Sequence, residues 1–225
     1  MFGFSKNLEE NFLFARQEEL LNVLENILTY NGSMVSLKSG ASTKADKVTV
    51  EGQEWFLKSY RISSFWKKML FPFRRPFPLK AAFNAYRISQ AGFNVILPVA
   101  GWLTSAHFPS GIYGGLLFPY VKDFEKLPAI WKRALGDRRL MESLINSIFT
   151  LFGRLHEAGI YIRDTKANNF LVLPGIEPVL FDLDVVRFFK GKVPHRLQRK
   201  NYEVLRRTLV RKGIPDRWLE EWFKR

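Results

Sequence analysis

The sequence contains no cysteine and no long apolar run. Without cysteine the chain has neither disulfides nor thiolate metal sites, and it fits a reducing compartment. The first 21 residues mix acidic and basic side chains with apolar ones, so they lack the apolar core of a signal peptide. No later stretch reaches the length that a membrane-spanning helix needs. We therefore expect a soluble, cytoplasmic protein.

Acidic residues are also scarce. The chain has 35 Lys and Arg against 21 Asp and Glu, which gives a formal net charge of +14. No Asp or Glu occurs between Lys58 and Asp123, whereas basic residues accumulate there: Arg61, Lys67, Lys68, Arg74, Arg75, Lys80 and Arg87. Such a surplus indicates an anionic partner, either nucleic acid, a phosphorylated glycolipid or an anionic membrane surface. A solvated basic face is the alternative, but the local clustering favours binding.

Strands dominate the predicted first half of the chain. Asn7 and Glu10 form a capping-box pattern, so a helix is predicted over residues 7–30, with Leu20, Leu24 and Leu28 at helical spacing. A second helix is predicted over residues 79–91, after an irregular loop at residues 65–78 rich in Phe, Pro and basic residues. The predicted strands cover residues 34–37, 47–50, 55–60, 95–102 and 116–121.

Helices dominate after Asp123. One apolar face recurs at steps of three or four residues, formed by Leu140, Leu144, Ile148, Phe152 and Leu155. Two short strands follow at residues 170–173 and 178–181, and then a basic helix at residues 196–212, with Leu197, Val204, Leu205 and Leu209 on its inner side. Strands first and helices second predict an α+β chain with two lobes, residues 1–120 and 121–225.

Three polar residues between these elements form a chemical pattern. Asn169 follows Asp164 by five positions, and Asp182 follows a strand-like run 18 positions after Asp164. Phosphoryl transfer requires a carboxylate that accepts the hydroxyl proton and metal ligands beside the nucleotide phosphates. The D-x-x-x-x-N spacing matches the catalytic loop of kinases, and the later Asp matches their metal-binding residue. The pattern therefore indicates a phosphotransferase.

The surrounding residues resemble a known family. The segment 156–164 (HEAGIYIRD), the loop to Asn169 and the run 181–184 (FDLD) are similar to the lipopolysaccharide core kinases. These kinase-fold enzymes phosphorylate heptose or 3-deoxy-manno-octulosonic acid in the inner core of bacterial lipopolysaccharide. Residues 55–58 (WFLK), 82–92 and 196–212 also resemble this family, so the similarity covers most of the chain from about Val35 onward.

The resemblance implies a two-lobed, protein-kinase-like fold that binds ATP and Mg²⁺, with a small antiparallel-sheet N-lobe and a compact helical C-lobe. Asp164 would be the catalytic base, and Lys166 would approach the γ-phosphate. The metal would be held by Asn169 and Asp182. The nucleotide would be bound by Lys58 at its α- and β-phosphates, by the turn that contains Gly40 and Ser42, and by hinge backbone at Phe118, Tyr120 and Val121.

The sequence departs from the kinase pattern at two places. Ile162 precedes Arg163 where many kinases carry His, and no Glu follows on the next helix to pair with Lys58. Asn84 could substitute for that partner, as could an acid from elsewhere: Glu10, Glu18, Glu51 or Glu54. A catalytically weak pseudokinase that binds a lipid or protein partner therefore stays an alternative, as does an atypical protein or small-molecule kinase.

The partner that best fits the charge and the resemblance is an anionic phosphorylated glycolipid. Its precursors are made at the inner face of the cell membrane, so we also expect contact with an anionic membrane surface. The aromatic and basic loop at residues 65–78 is a candidate for that contact, and a flexible loop with partly buried Phe side chains is the alternative. Nucleic acid is disfavoured, because no matching aromatic or helix-turn-helix pattern occurs.

Overall fold

The computed structural model describes residues 2–8, 11–29, 33–62, 76–104, 111–173 and 177–223. The chain forms two compact units. The first contains Met1–Arg87 and Ile96–Val121, and the second contains Ile88–Val95 and Lys122–Arg225. Most of the predicted loop at residues 65–78 lies outside the described residues, and only its last three residues are described.

A seven-stranded antiparallel sheet forms the body of the first unit. Its strand order is β1-β2-β6-β7-β5-β4-β3. The strands are β1 (Phe4–Leu8), β2 (Asn11–Ala15), β3 (Met34–Ser39), β4 (Thr43–Val50), β5 (Gln53–Arg61), β6 (Ala100–Thr104) and β7 (Ile112–Pro119). The predicted antiparallel sheet is confirmed, but the strand predicted from residue 95 begins only at Ala100.

The predicted helix over residues 7–30 is wrong in its first half. Residues 4–15 form the β1–β2 hairpin, in which Phe4 pairs with Ala15 and Leu8 with Asn11. Helix α1 covers only Glu19–Thr29. Residues 12–15 (FLFA) are a short apolar run with two aromatic residues, which suits a strand, and its partner, β6, is far away in sequence. The capping-box pattern depends only on residues close in sequence, so it carries no information on the pairing of β2 with β6.

Helix α1 covers one face of the sheet. Its buried residues are Leu20, Leu21, Leu24 and Ile27. They belong to one apolar cluster with sheet residues that include Val48, Trp55, Leu57, Trp102 and Leu117. Side chains alternate across a strand, so Leu57 points into this cluster while its neighbour Lys58 points to the opposite face.

A close approach inside the sheet requires glycine. Gly115 on β7 lies opposite Trp102 on β6, and a Cβ atom at Gly115 would come within 2.1 Å of the Trp102 ring. The indole therefore occupies the space that any larger residue would need, which explains this glycine on a central strand.

Helix α2 (Phe77–Gln90) follows the undescribed segment and agrees with the helix predicted over residues 79–91. It begins two residues earlier than predicted, because Pro78 lies in its first turn, where the missing amide hydrogen costs no bond. Its buried side chains include Ala81, Ala82, Asn84 and Ala85.

The second unit combines helices with two small sheets. Its helices are α3 (Leu127–Ala134), α4 (Arg138–Glu157), α5 (His195–Val210) and α6 (Asp216–Phe223). Strand β10 (Phe170–Leu173) pairs antiparallel with β11 (Glu177–Leu180) and with β8 (Glu125–Lys126). Strand β9 (Ile160–Ile162) pairs with β12 (Val186–Phe188). Within the described parts of the chain, no helix has the length and apolar character to cross a membrane.

Helix α4 supplies most of this unit's core. Asp137 caps it, since its carboxylate accepts bonds from the amides of Arg139 and Leu140 at 3.0 and 3.1 Å. The predicted apolar face is confirmed at Leu144, Ile148, Phe152 and Leu155, which are all buried. Leu140 is only partly buried, because it lies in the first turn of the helix.

A glycine turn connects α4 to β9. Gly159 has φ +71°, and a Cβ atom there would come within 2.5 Å of the Gly191 carbonyl oxygen. Both the left-handed backbone and the close approach exclude other residues. This turn fixes where β9 begins, three residues before Arg163.

Candidate active site

The predicted site residues fall into two groups, one in each unit. Asp164, Lys166, Asn169 and Asp182 belong to the second unit, and the predicted nucleotide-binding residues belong to the first: Gly40, Ser42, Lys58, Phe118, Tyr120 and Val121.

The segment after β9 is a short, well-anchored loop. The Arg163 amide donates to the carbonyl of Val185 at 2.9 Å, which continues the pairing of β9 with β12. Residues 167–169 then form a 3₁₀ turn, and the Asn169 amide donates to the Lys166 carbonyl at 2.9 Å. The loop backbone between β9 and β10 is therefore held at both ends.

Asp164 and Lys166 form an ion pair on this loop. Lys166 Nζ lies 2.9 Å from Asp164 Oδ2, and the two side chains are 57% and 39% exposed. A carboxylate that is held near a cation and still open to solvent can accept a proton from an incoming hydroxyl group. The same lysine can approach an anionic group bound beside that carboxylate.

Strand pairing places Asn169 next to the residue before Asp182. In the β10–β11 hairpin Phe170 pairs with Leu180, so the next residues outward, Asn169 and Phe181, face each other. The Phe181 amide donates to the Asn169 carbonyl at 3.1 Å and fixes this arrangement. The hairpin therefore closes the 13-residue gap between Asn169 and Asp182.

The backbone at Asp182 adopts an unusual conformation. Its φ is +63°, in the left-handed region that few residues other than glycine adopt. Such a conformation costs on the order of 1 kcal/mol and often occurs at functional sites. Asp182 directly follows the bonded Phe181, so the left-handed residue lies at the end of the hairpin pairing.

A buried polar network lies beneath the loop. The Asn201 side chain on α5 donates from Nδ2 to the Ile162 carbonyl at 2.7 Å. The backbone carbonyl of Asn201 accepts a bond from the Thr165 hydroxyl at 3.1 Å. Asn201 and Thr165 are almost fully buried. One residue of α5 therefore holds the loop on both sides of Asp164.

His156 completes this network. Since Asn201 Nδ2 donates to Ile162, its Oδ1 faces His156 Nε2, 3.0 Å away, and Nε2 must carry the proton. Burial lowers the pKa of His156, and the bond to Asn201 opposes that shift only in part. The described residues offer His156 Nδ1 no hydrogen-bond partner. His156 is therefore a neutral, structural residue.

Thr208, also on α5, provides a third anchor. Its hydroxyl accepts a bond from the Ala167 amide at 3.0 Å and donates to the Leu205 carbonyl at 2.8 Å. The sequence predicted α5 as an amphipathic helix with Leu197 and Val204 on its inner side, but both are only partly buried. Asn201, four residues before the buried Leu205, was missed. The sequence signal that could have identified Asn201 is its position, at helical spacing with Leu205 and Leu209.

Lys58 occupies the centre of the sheet in the first unit. It pairs with Ala45 on β4 and Leu116 on β7, and only 6% of the residue is exposed. Its ammonium group lies 5.0 Å from the centroid of the Tyr60 ring, on the same face of the sheet. A nearly buried ammonium group on a central strand is suited to bind an anion.

The residues considered as partners of Lys58 differ in their exposure and in the contacts that they make. Glu54 forms an ion pair with Lys47, and Glu18 and Glu51 are exposed. Glu10 lies outside the described residues. Asn84 on α2, the other candidate, is 3% exposed and therefore buried.

The turn predicted to cover the phosphates connects β3 to β4. The Gly40 amide donates to the Thr43 carbonyl at 2.9 Å, and the Ser42 carbonyl accepts from the Arg61 amide at 2.8 Å. The turn thus belongs to a hairpin whose second strand lies beside β5, which carries Lys58. Gly40 does not have positive φ, so its backbone conformation is open to other residues.

The predicted hinge residues lie at the end of β7. Phe118 is buried, with its ring 5.9 Å from that of Phe56. The Tyr120 amide donates to the Glu54 carbonyl at 3.3 Å, and Lys47 Nζ lies 4.7 Å from the Tyr120 ring centroid. The Tyr120 amide is therefore bonded within the first unit, and its role as a hinge residue stays a prediction. Val121 is the last residue of the first unit.

The residues of the second unit fit Mg²⁺. Asn169 Nδ2 donates to the Asp164 carbonyl at 3.0 Å, which leaves the amide oxygen Oδ1 for a cation. The carboxylate of Asp182 is the other oxygen donor. Magnesium usually binds one or two protein oxygens together with substrate phosphates and water. No group of three or more His, Cys, Asp or Glu that could bind a metal occurs among the described residues.

Comparison with known proteins gives a match in fold. No protein-family profile and no curated protein sequence matches the chain. Among solved structures, the chain is similar to WaaP in complex with acyl carrier protein, with a TM-score of 0.59 and 15% sequence identity over 94% of this chain and 96% of WaaP. WaaP is a lipopolysaccharide core heptose kinase. The resemblance is therefore confirmed at the level of the fold, which the chain shares with WaaP.

Proposed function

We propose that the chain is an ATP-dependent kinase that phosphorylates a sugar hydroxyl of a lipopolysaccharide inner-core glycolipid. The observation that carries this proposal is the arrangement of the loop after β9. There the Asp164–Lys166 ion pair, the Asn169 amide and the backbone before Asp182 are joined by hydrogen bonds. The WaaP-like fold supports the same chemistry. The acceptor is a membrane lipid precursor, so the enzyme would work at the cytoplasmic face of the inner membrane.

Each polar residue has a role in this proposal. Asp164 orients the sugar hydroxyl and accepts its proton as the oxygen attacks the γ-phosphorus of ATP, while the bond from that phosphorus to the β-phosphate oxygen breaks and ADP leaves. Lys166, held 2.9 Å from Asp164, stabilises the negative charge of the transferred group. Lys58 holds the α- and β-phosphates. Thr165 and Asn201 do not touch the reactants, but they fix the backbone on which Asp164 stands.

Asn169 Oδ1 and the Asp182 carboxylate would hold Mg²⁺. When bound, the ion supplies positive charge to the nucleotide phosphates. The hydrogen bond from Asn169 Nδ2 to the Asp164 carbonyl prevents the amide from turning its nitrogen towards the cation.

Replacement of the base tests the proposed chemistry. We expect Asp164→Asn to lower phosphate transfer to purified core glycolipid by at least about 10³-fold and to leave ATP affinity within about twofold of the original. Glu157→Gln changes an exposed acid on the same unit and should retain activity. An Asp164→Asn variant with full turnover would exclude the assigned role.

The acceptor is tested separately. Transfer from ATP is measured with core glycolipid, with a panel of proteins and with free sugars. Exclusive transfer to a protein or to a small molecule would favour the alternative kinases. Stabilisation by Mg²⁺ and ATP without release of ADP would favour a pseudokinase.

We also propose a protein partner for the second unit. A groove of roughly 1100 Å³ runs along α5 and exposes five cations on one side of the helix: Arg196, Arg199, Lys200, Arg207 and Arg211. Arg206, also in the groove, is engaged by Asp216 at 2.6 Å. Such a surface suits an acidic protein, of the kind represented by the acyl carrier protein in the WaaP complex. Titration with purified acyl carrier protein tests this, and Arg199→Glu with Arg207→Glu should abolish any binding.

A further inference from the structure

Helix α2 exposes two aromatic side chains in residues 77–87, the part of the helix that belongs to the first unit. Phe77 is 44% exposed and Phe83 is 42% exposed. They are six positions apart, which corresponds to about 9 Å along the helix axis. Most apolar residues of the helix, such as Ala82 and Ile88, are instead buried. These two rings therefore face solvent on a helix that otherwise packs its apolar side chains inside.

Basic side chains alternate with these rings. Lys80 and Arg87 are exposed, so the exposed residues recur at steps of three, three and four along one side of the helix. We call this set, Phe77, Lys80, Phe83 and Arg87, the α2 stripe. The helix contains no acidic residue, and the sequence has none between Lys58 and Asp123.

We propose that the α2 stripe is the surface by which this protein contacts an anionic lipid bilayer. Aromatic rings of an interfacial helix enter the boundary between headgroups and acyl chains, while Lys and Arg beside them meet anionic headgroups. The α2 stripe presents both features on one side of one helix. The proposal uses the proposed function only for the location of the acceptor, because membrane contact does not require turnover.

Charge argues against a second copy of the chain as the occupant. Two copies that met through the α2 stripe would bring Lys80 and Arg87 close to the same cations of the partner, and like charges repel. A bilayer with anionic headgroups removes that repulsion and accepts both rings. The α2 stripe is also distinct from the basic groove along α5, which belongs to the other unit.

Co-sedimentation with vesicles tests the proposal on the full chain without ATP. The probe is phosphatidylcholine vesicles with and without phosphatidylglycerol. We expect binding only to the anionic vesicles, weakened by salt. Phe83→Ser should lower the partition coefficient roughly fivefold because a partly exposed ring no longer enters the interface. Lys80→Gln should lower it by a similar factor because one headgroup contact is lost.

Matched controls identify the surface. Phe12→Ser removes a ring of nearly equal exposure, 43%, from β2 in the same unit. Lys132→Gln removes an exposed cation from α3 in the other unit. Both control variants should bind vesicles like the original chain, and circular dichroism verifies that all four variants are folded.

Three results would overturn the proposal. The first is no binding to phosphatidylglycerol vesicles, or equal binding to neutral ones. The second is loss of binding in the controls to the same extent as in the stripe variants. The third is a change of oligomeric state in Phe83→Ser by analytical ultracentrifugation, which would identify the α2 stripe as a contact between copies. None of these results bears on phosphate transfer to detergent-dispersed glycolipid, so the proposed function is judged independently.

Discussion

Replacement of Asn201 by Ala tests whether α5 positions the catalytic loop. The side chain of Asn201 is buried and bonds two groups, the Ile162 carbonyl at 2.7 Å and His156 Nε2 at 3.0 Å. Alanine can satisfy neither group. Because Ile162 and His156 are also buried, water cannot readily replace the lost bonds.

The size of the effect follows from these two groups. A buried polar group left without a partner costs about 1–3 kcal/mol, so two of them should cost roughly 2–6 kcal/mol. That is a large share of the roughly 5–15 kcal/mol by which a typical domain is stable. Asn146→Ala is the matched control, since Asn146 is exposed on α4 in the same unit. We expect that change to stay within about 0.5 kcal/mol.

Urea unfolding measures both variants. A loss of less than about 1 kcal/mol for Asn201→Ala, or a loss equal to that of Asn146→Ala, would refute the assigned role of the network. If the proposed function is right, the folded fraction of Asn201→Ala should also show kcat reduced by about 10²-fold through displacement of Asp164. Its affinity for ATP should change little. Unchanged kcat would show that the network stabilises the fold without positioning the base.

Three further predictions concern single residues. The pKa of His156 is lowered by burial from its ordinary value of 6.5. Near and below that pH the unfolded chain therefore binds more protons than the folded chain, and stability that is present above about pH 6.5 is lost as the pH falls. We expect the urea midpoint of His156→Gln to fall less than that of the original chain between about pH 7.5 and 5.5. Because the backbone of residue 182 has φ +63°, the Asp182→Gly variant should be more stable in thermal unfolding than Asp182→Ala, by about 1 kcal/mol. Both variants should lose Mg²⁺-dependent ATP binding. Equal stability of the two variants would argue against the left-handed backbone. Gly115→Ala places a Cβ 2.1 Å from Trp102 and should cost at least about 2 kcal/mol in urea unfolding, whereas Gly136→Ala, where a Cβ meets nothing within 4 Å, should be neutral or slightly stabilising.

The candidate site was more predictable than the N-terminal fold. Asp164 and Asn169 lie on one loop only five positions apart, so local spacing was enough to link them. The hairpin that connects Asn169 to Asp182 is also local, and its first strand was predicted at the observed residues, 170–173. In contrast, β2 pairs with β6 almost 90 residues later. A strand that depends on so distant a partner has no local signal to compete with a helical capping pattern.

The residues that hold the loop of the candidate site in place could not be predicted from the sequence either. Thr208 and Asn201 bond the loop from a helix about 40 residues downstream. Helical periodicity assigns residues to the inner face of α5 by hydrophobicity. It therefore did not identify the polar Asn201, which lies between Leu197 and Leu205 on that face. Only the position of α5 against β9 reveals which carbonyl that asparagine satisfies.

The sequence by itself predicted the proposed chemistry and the order of most elements after residue 30. The types and spacing of Asp164, Asn169 and Asp182 indicated phosphoryl transfer, because those residue types at those intervals suit a base and two metal ligands. Tertiary structure decided the rest. It placed Lys58 on a central strand, gave Asp182 its left-handed backbone and exposed Phe83 on α2. These properties depend on contacts between residues distant in sequence, which local propensity and spacing do not encode.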